Sequence, residues 1–161
     1  MKKLILLLLF IQLVFSCNTS NVPSGFSKIE SIEPPILIDL RYSGSDNFLG
    51  RTVKGYENPR NILLTNETID ALTKVQKTLS KTNLGLKLFD GYRPQKSVNN
   101  FVEWAKDLKD TVTKSKYYPK EKKDSLFFKG YISEKSGHSR GSTVDITLIF
   151  TDSINYGNEL D

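Results

Sequence analysis

Apolar side chains recur at Ile69, Leu72, Val75 and Leu79, the spacing of one helical face, so a scaffold helix is expected over residues 66–80. A second stripe, Val98, Phe101, Val102, Ala105 and Leu108 with Trp104 at its margin, predicts another helix over 97–108. Between them Leu84, Leu86 and Leu88 alternate with Gly85, Lys87 and Phe89, the period of a strand, which runs into Asp90-Gly91-Tyr92-Arg93-Pro94. Pro94 punctuates that strand end and biases Arg93 toward an extended backbone. Residues 36–42, entered through Pro34-Pro35, form the first expected strand. Residues 143–150 form the last, with Val144, Ile146, Leu148 and Phe150 on one face and Thr143, Asp145, Thr147 and Ile149 on the other.

The stretches between these elements are polar. Residues 43–59 carry glycines and the aromatics Phe48 and Tyr56, which are expected to plug the edge of a core. Residues 109–123 are lysine-rich with acids interleaved, the pattern of a solvated surface excursion. No internal repeat is present.

The N-terminus changes the picture. Met1-Lys2-Lys3 followed by an almost wholly apolar run to Phe15 has the charged and apolar regions of an export signal, and the run is too short to span a bilayer. Cys17 follows the small Ser16 directly, as in a bacterial lipoprotein signal whose cysteine becomes the lipidated first residue. Two outcomes stay open: a diacylated Cys17, or ordinary secretion in which that thiol leaves with the leader. The expected organisation is a lipoprotein-type signal over 1–16, a tether over 17–28 rich in Ser, Asn and Pro, and one domain over 29–161. Cys17 is the only cysteine, so no internal disulfide forms despite an oxidising destination. The net charge of +5 includes Lys2 and Lys3 of the leader. So small a balance gives no argument for nucleic acid as a partner.

The candidate chemistry lies in Ser136-Gly137-His138-Ser139-Arg140-Gly141-Ser142-Thr143-Val144-Asp145, which holds the only histidine of the chain. A loop imidazole and an aspartate at the start of a strand can aim two ligands at one metal ion, with Gly141 allowing a tight turn between them. On spacing alone His138 can equally be a solvated or hydrogen-bonded residue. A catalytic zinc normally has three protein ligands and a water, and no second histidine is available. Arg93 also reads two ways, as a surface cation paired with Asp90 or as a guanidinium aimed at a developing oxyanion.

The segment resembles the zinc-ligand motif Ser-x-His-x-x-Gly-x-Ala-x-Asp of the metallopeptidases that include lysostaphin-like enzymes, D-Ala-D-Ala carboxypeptidases and the hedgehog domain. Ser136, His138, Gly141 and Asp145 match, while Thr143 stands where alanine is usual. Together with Asp39-Leu40-Arg41-Tyr42, Asn47-Phe48-Leu49-Gly50, Asp90-Gly91-Tyr92-Arg93-Pro94 and residues 135–148, the chain from about Ile36 onward resembles the VanX-type D-alanyl-D-alanine dipeptidases. That resemblance implies an α+β fold, an antiparallel central sheet with helices packed on one side and the metal in a cleft on the sheet. It implies a zinc-dependent dipeptidase acting on D-Ala-D-Ala from cell-wall metabolism, in peptidoglycan recycling or scavenging. His138 and Asp145 would be zinc ligands, Arg93 the residue that stabilises the transition state, and Tyr42, Tyr56 and Ser136 parts of the substrate pocket. The family's third ligand, a histidine preceded three residues earlier by the general-base glutamate, has no counterpart in these 161 residues. The expectation is therefore a C-terminally truncated dipeptidase domain, exported as a periplasmic or cell-envelope lipoprotein held to the membrane through Cys17. The alternative is an inactive remnant that binds wall peptides without hydrolysing them.

Overall fold

In the computed structural model, residues 22–57 and 62–151 are described; the expected leader, Cys17 and the rest of the expected tether up to residue 21 lie outside them. In chain order the elements are β1 (Phe26–Lys28), β2 (Leu37–Ile38), β3 (Leu63–Thr65), α1 (Asn66–Leu79), β4 (Leu84–Asp90), α2 (Gln95–Lys106), the one-turn α3 (Lys114–Tyr117) and β5 (Asp145–Phe150), joined by loops and short 3-10 turns. The class is α+β, as expected. The central sheet has the order β2-β4-β5 and is mixed, because β2 runs parallel to β4 whereas β5 runs antiparallel to it. A second, two-stranded antiparallel sheet pairs β1 with β3. No helix among the described residues is long and apolar enough to cross a membrane.

β4 is the axis of the molecule. Leu86 and Leu88 are buried with Ile69 and Leu72 of α1, and with Ile29, Ile32, Ile36, Ile62 and Leu64 of the N-terminal segments. Thr65 accepts the Thr68 N–H and so caps the first turn of α1, supplying a partner for one of the amides a helix start leaves unpaired. The stripe of α1 departs from expectation at one step. Val75 is 45% exposed, and Gln76 faces inward instead, 2% exposed. Its amide donates to the Pro35 carbonyl and its oxygen accepts the Leu86 N–H, so a buried polar group is satisfied at both ends while tying α1 to β4.

A second core surrounds α2, where Phe101, Trp104 and Ala105 pack with Leu49, Val53 and Tyr56 from the preceding loop and with Tyr118, Leu126 and Ile132 from the following one. Phe48 and Tyr56 join this core as the sequence pattern suggests, on a loop organised by buried Asn47, whose amide donates to the carbonyls of Arg41, Gly44 and Arg51. Trp104 is central rather than marginal, at 2% exposure, and Leu108 is exposed because α2 ends at Lys106. The lysine-rich stretch is likewise not wholly solvated. Tyr118 and Lys123 are buried, and the Lys123 ammonium lies 3.9 Å from the Trp104 ring centroid while donating to the Asp110 carbonyl, a cation over an aromatic face.

Two strands are shorter than their apolar runs. After Ile38 one further ladder bond forms, from the Asp39 N–H to the Leu88 carbonyl, and then the Ser43 hydroxyl bonds the Leu40 carbonyl and the chain turns into a 3-10 helix at Arg41–Ser43. β5 begins at Asp145, and Ile146, Leu148 and Phe150 are 41 to 50% exposed while Ile149 is 1% exposed. The reason is positional. β5 is the edge of its sheet among the described residues, and Ile149 pairs with Gly85, which has no side chain to compete for the space.

Candidate active site

The site is assembled where β4 and β5 meet. Leu88 pairs with Ile146, but an irregularity in the register then sets Asp90 opposite Asp145. The extra residue re-aims the strand end, as such irregularities do next to functional sites. Two carboxylates that regular pairing would not place opposite each other become neighbours.

Asp90 is 1% exposed and fully engaged. One carboxylate oxygen accepts the Tyr56 hydroxyl at 2.7 Å and the Gly91 N–H at 2.9 Å. The other accepts the Arg93 Nε–H at 2.9 Å and an Nη2 hydrogen at 2.7 Å. Burial pushes its pKa up, against the pull of Arg93 and Tyr56. Burial also pushes up the Tyr56 phenol, reinforced by the adjacent Asp90 charge, so it remains a donor.

His138 sits in a 3-10 turn, Gly137–Arg140. The Ser136 hydroxyl accepts the His138 N–H at the start of the turn, and Gly141 closes it at φ +73°, where a Cβ would stand 2.3 Å from Phe26 Cε1. The backbone of the turn is tied to β4's continuation, since Arg93 N–H donates to the His138 carbonyl. The ring is 8% exposed, and Nδ1 lies 3.0 Å from the Gly91 carbonyl oxygen. A carbonyl only accepts, so Nδ1 carries a hydrogen, and Nε2 is the nitrogen that can ligate a metal once it gives up its own proton. Nε2 lies 3.4 Å from Asp145 Oδ1. Burial is the largest influence and opposes an imidazolium here, yet the Asp145 hydrogen bond and charge together with the Gly91 carbonyl outweigh it, and the His138 pKa stands above 6.5. Asp145 is held below its usual range by the same bond.

Arg93 joins the halves. Its Nη2 reaches 3.5 Å from Asp145 Oδ2 while bound to Asp90, so its charge offsets both carboxylates. Its Nη1 lies 3.4 Å from Ser136 Oγ, and the guanidinium stacks over the rings of Tyr42 and Phe101, 5.3 and 5.1 Å from their centroids. A cavity of about 140 Å³ opens here, with Tyr42, Arg93, Phe101, Tyr131 and Ser136 among its walls. Of the residues read from the sequence, Tyr42, Arg93, Ser136, His138 and Asp145 thus converge. Tyr56 is not on the cavity wall, and its hydroxyl is committed to Asp90.

Ligand atoms of Asp90, His138 and Asp145 all lie within 4.8 Å of one another, a cluster able to hold a metal ion. Its members differ in what they have left to give. Both oxygens of Asp90 are occupied by donors, whereas His138 Nε2 faces Asp145, the other prospective ligand, and the Asp145 carboxylate is half-exposed. An imidazole nitrogen and a carboxylate oxygen suit a zinc-like ion. Asp90 is the residue the sequence pattern undervalues. Its pairing with Arg93 is legible in Asp90-Gly91-Tyr92-Arg93, but not the burial that makes the pair structural.

The family model described as D-ala-D-ala dipeptidase, peptidase M15, matches residues 23–161. The chain belongs to this family. It is 40% identical over 124 residues to the D-alanyl-D-alanine dipeptidase of Enterococcus faecium, which covers 77% of this chain and 61% of that protein. It is 40% identical over 129 residues to the enzyme of the same name from Enterococcus faecalis, covering 80% and 63%. With that of Streptomyces coelicolor it shares 39% over 123 residues, covering 76% and 60%. The chain therefore spans about three fifths of the length of these relatives.

Proposed function

We propose that this chain carries the zinc-binding and oxyanion-stabilising part of an exported D-alanyl-D-alanine dipeptidase that recovers the dipeptide from cell-wall turnover. The observation that carries the reading is the convergence of His138 Nε2, the Asp145 carboxylate and the Arg93 guanidinium beside a cavity of about 140 Å³. The names of the relatives supply the substrate class, and the small cavity suits a dipeptide better than a long chain.

His138 and Asp145 would hold the zinc ion. What the ion supplies when bound is Lewis-acid polarisation of the scissile carbonyl. The protein's own contribution is positional and electrostatic. Gly91 fixes the His138 tautomer. Asp90 fixes the Arg93 fork, so that its remaining N–H groups face the cavity already oriented for the oxygen on which charge develops. A donor in that role stabilises the transition state by about 2.7–4 kcal/mol. Ser136 and Tyr42 line the space the dipeptide would occupy, and the Tyr42 phenol, pushed up to about 12 chiefly by burial, stays protonated as a donor.

One observation favours a second reading. His138 is the only histidine and Asp90 is saturated, so the described residues offer two ligands where a catalytic zinc normally has three. On that reading these residues by themselves bind a wall peptide without cleaving it. The test is D-alanine release from D-Ala-D-Ala, with L-Ala-L-Ala as control, by the chain and by any longer form of the protein. Zinc-dependent release lost in His138→Ala supports the enzyme; peptide binding without release supports the binding module.

A further inference from the structure

Asp90 is not on the cavity wall and both its oxygens are taken by donors, yet Arg93 and His138 both lead back to it. We infer that Asp90, anchored by Tyr56, is a positioning residue that sets the Arg93 guanidinium and the His138 tautomer together, and that Tyr56 serves the site through Asp90 rather than by touching substrate. This deepens the proposed function and rests on its assignment of His138 and Arg93.

Two routes leave the one carboxylate. On the first, an oxygen accepts both Nε–H and Nη2–H of Arg93 at 2.9 and 2.7 Å, which fixes the guanidinium plane and leaves Nη1 directed toward Ser136 in the cavity. On the second, the other oxygen accepts the Gly91 N–H at 2.9 Å, and the carbonyl of the same Gly91 accepts Nδ1–H of His138 at 3.0 Å. The carboxylate itself lies 3.7 Å from Nδ1. Its charge and the oriented Gly91 peptide both favour a hydrogen on Nδ1, which makes Nε2, facing Asp145, the nitrogen that loses its proton first and ligates a metal. Partners of this kind behind a ligating histidine orient the ring and fix its tautomer.

The anchor is equally specific. The oxygen opposite Arg93 is pinned by the Gly91 N–H and, through a side chain fixed in the core, by the Tyr56 hydroxyl at 2.7 Å. Tyr56 is 7% exposed and packed in the α2 core. Gly91 completes the device. A Cβ there would fall 2.6 Å from Ile62 Cγ2 and 3.2 Å from Leu64 Cδ2, so its peptide sits against the core where a side chain has no room.

Because the chain has one histidine, nitrogen-15 spectra of the imidazole report His138 alone, without metal or turnover. The experiment compares the full wild-type chain with Asp90→Asn and Tyr56→Phe, reading the His138 tautomer at alkaline pH, exchange of the Arg93 Nε–H (assigned by its loss in Arg93→Lys), and zinc affinity. Wild type should show the hydrogen on Nδ1 and a slowly exchanging Arg93 Nε–H. Asp90→Asn should populate the Nε2–H tautomer, speed that exchange severalfold and weaken zinc roughly 10- to 100-fold. Tyr56→Phe, which keeps the carboxylate and the ring packing, should speed Arg93 exchange in the same direction by less. Should Asp90→Asn fail to fold, Tyr56→Phe decides. Unchanged Arg93 exchange in Tyr56→Phe, or a wild-type tautomer and exchange rate in a folded Asp90→Asn, overturns the inference. Spectra that change as expected in a chain that binds no zinc would sustain the clamp and sink the metal assignment instead.

Discussion

His138 Nε2 and Asp145 Oδ1 stand 3.4 Å apart across the turn closed by Gly141. Without metal, this pair is a stabilising ion pair over a defined pH window. The His138 pKa is raised, so its contribution is complete below the ordinary 6.5 and is lost as pH rises through the raised value. The Asp145 pKa is lowered, so its contribution is present above the ordinary 3.8 and is lost as pH falls through the lowered value. The metal-free chain should therefore gain stability from the pair between those limits, and Asp145→Asn should lower Tm inside that window and little above it. A Tm difference independent of pH would count against the pairing.

Zinc competes with the same proton. Its apparent affinity should fall as pH drops through the raised His138 value, with close to one proton released per ion bound, because Asp145 is already ionised. Calorimetry in buffers of different ionisation enthalpy measures that proton directly, and a proton count near zero below the ordinary histidine value of 6.5 would argue against His138 as ligand.

On the proposed dipeptidase reading, Arg93→Ala should reduce kcat by roughly two to three orders of magnitude with zinc content unchanged, since the interaction lost would be one made to the charged intermediate. Arg93→Lys should restore little, because an ammonium cannot satisfy Asp90 twice and still face the cavity. Near-normal turnover by Arg93→Ala would return the residue to the role of an ion-pair partner.

Gly141→Ala places a side chain at φ +73° and 2.3 Å from Phe26. It should destabilise the chain by more than about 1 kcal/mol and shift the His138 resonance, because the same turn carries the imidazole. Thermal denaturation with the imidazole spectrum checks both, and an unperturbed His138 would show that the turn does not set its position.

At the N-terminus, diacylation of Cys17 should place the protein on the cell envelope. Metabolic lipid labelling of wild type against Cys17→Ala tests this, and labelling that survives the substitution would dispose of the anchor.

Local structure was legible where one period governs a segment. Leu84, Leu86 and Leu88 mark β4, and Ile69 with Leu72 marks the inner face of α1. What the pattern missed depends on tertiary partners. Gln76 takes the place of Val75 because the Pro35 carbonyl and the Leu86 amide are there to meet it. Trp104 is buried because Tyr118 and Lys123 fold back over it. In the site, His138, Asp145 and Arg93 were identifiable by type and motif. The burial of Asp90 was not, because it follows from a register irregularity between β4 and β5 and from a Tyr56 contact 34 residues away in sequence.

The most direct test of the central claim is a zinc titration of the chain and two variants, His138→Ala and Asp145→Asn, with D-alanine release followed in the same samples. Two protein ligands should give one weak site per chain, lost in both variants, and no release from D-Ala-D-Ala by these 161 residues alone. Zinc binding that survives both substitutions would contradict the site described here, and tight stoichiometric zinc with turnover abolished by His138→Ala would contradict the two-ligand limit.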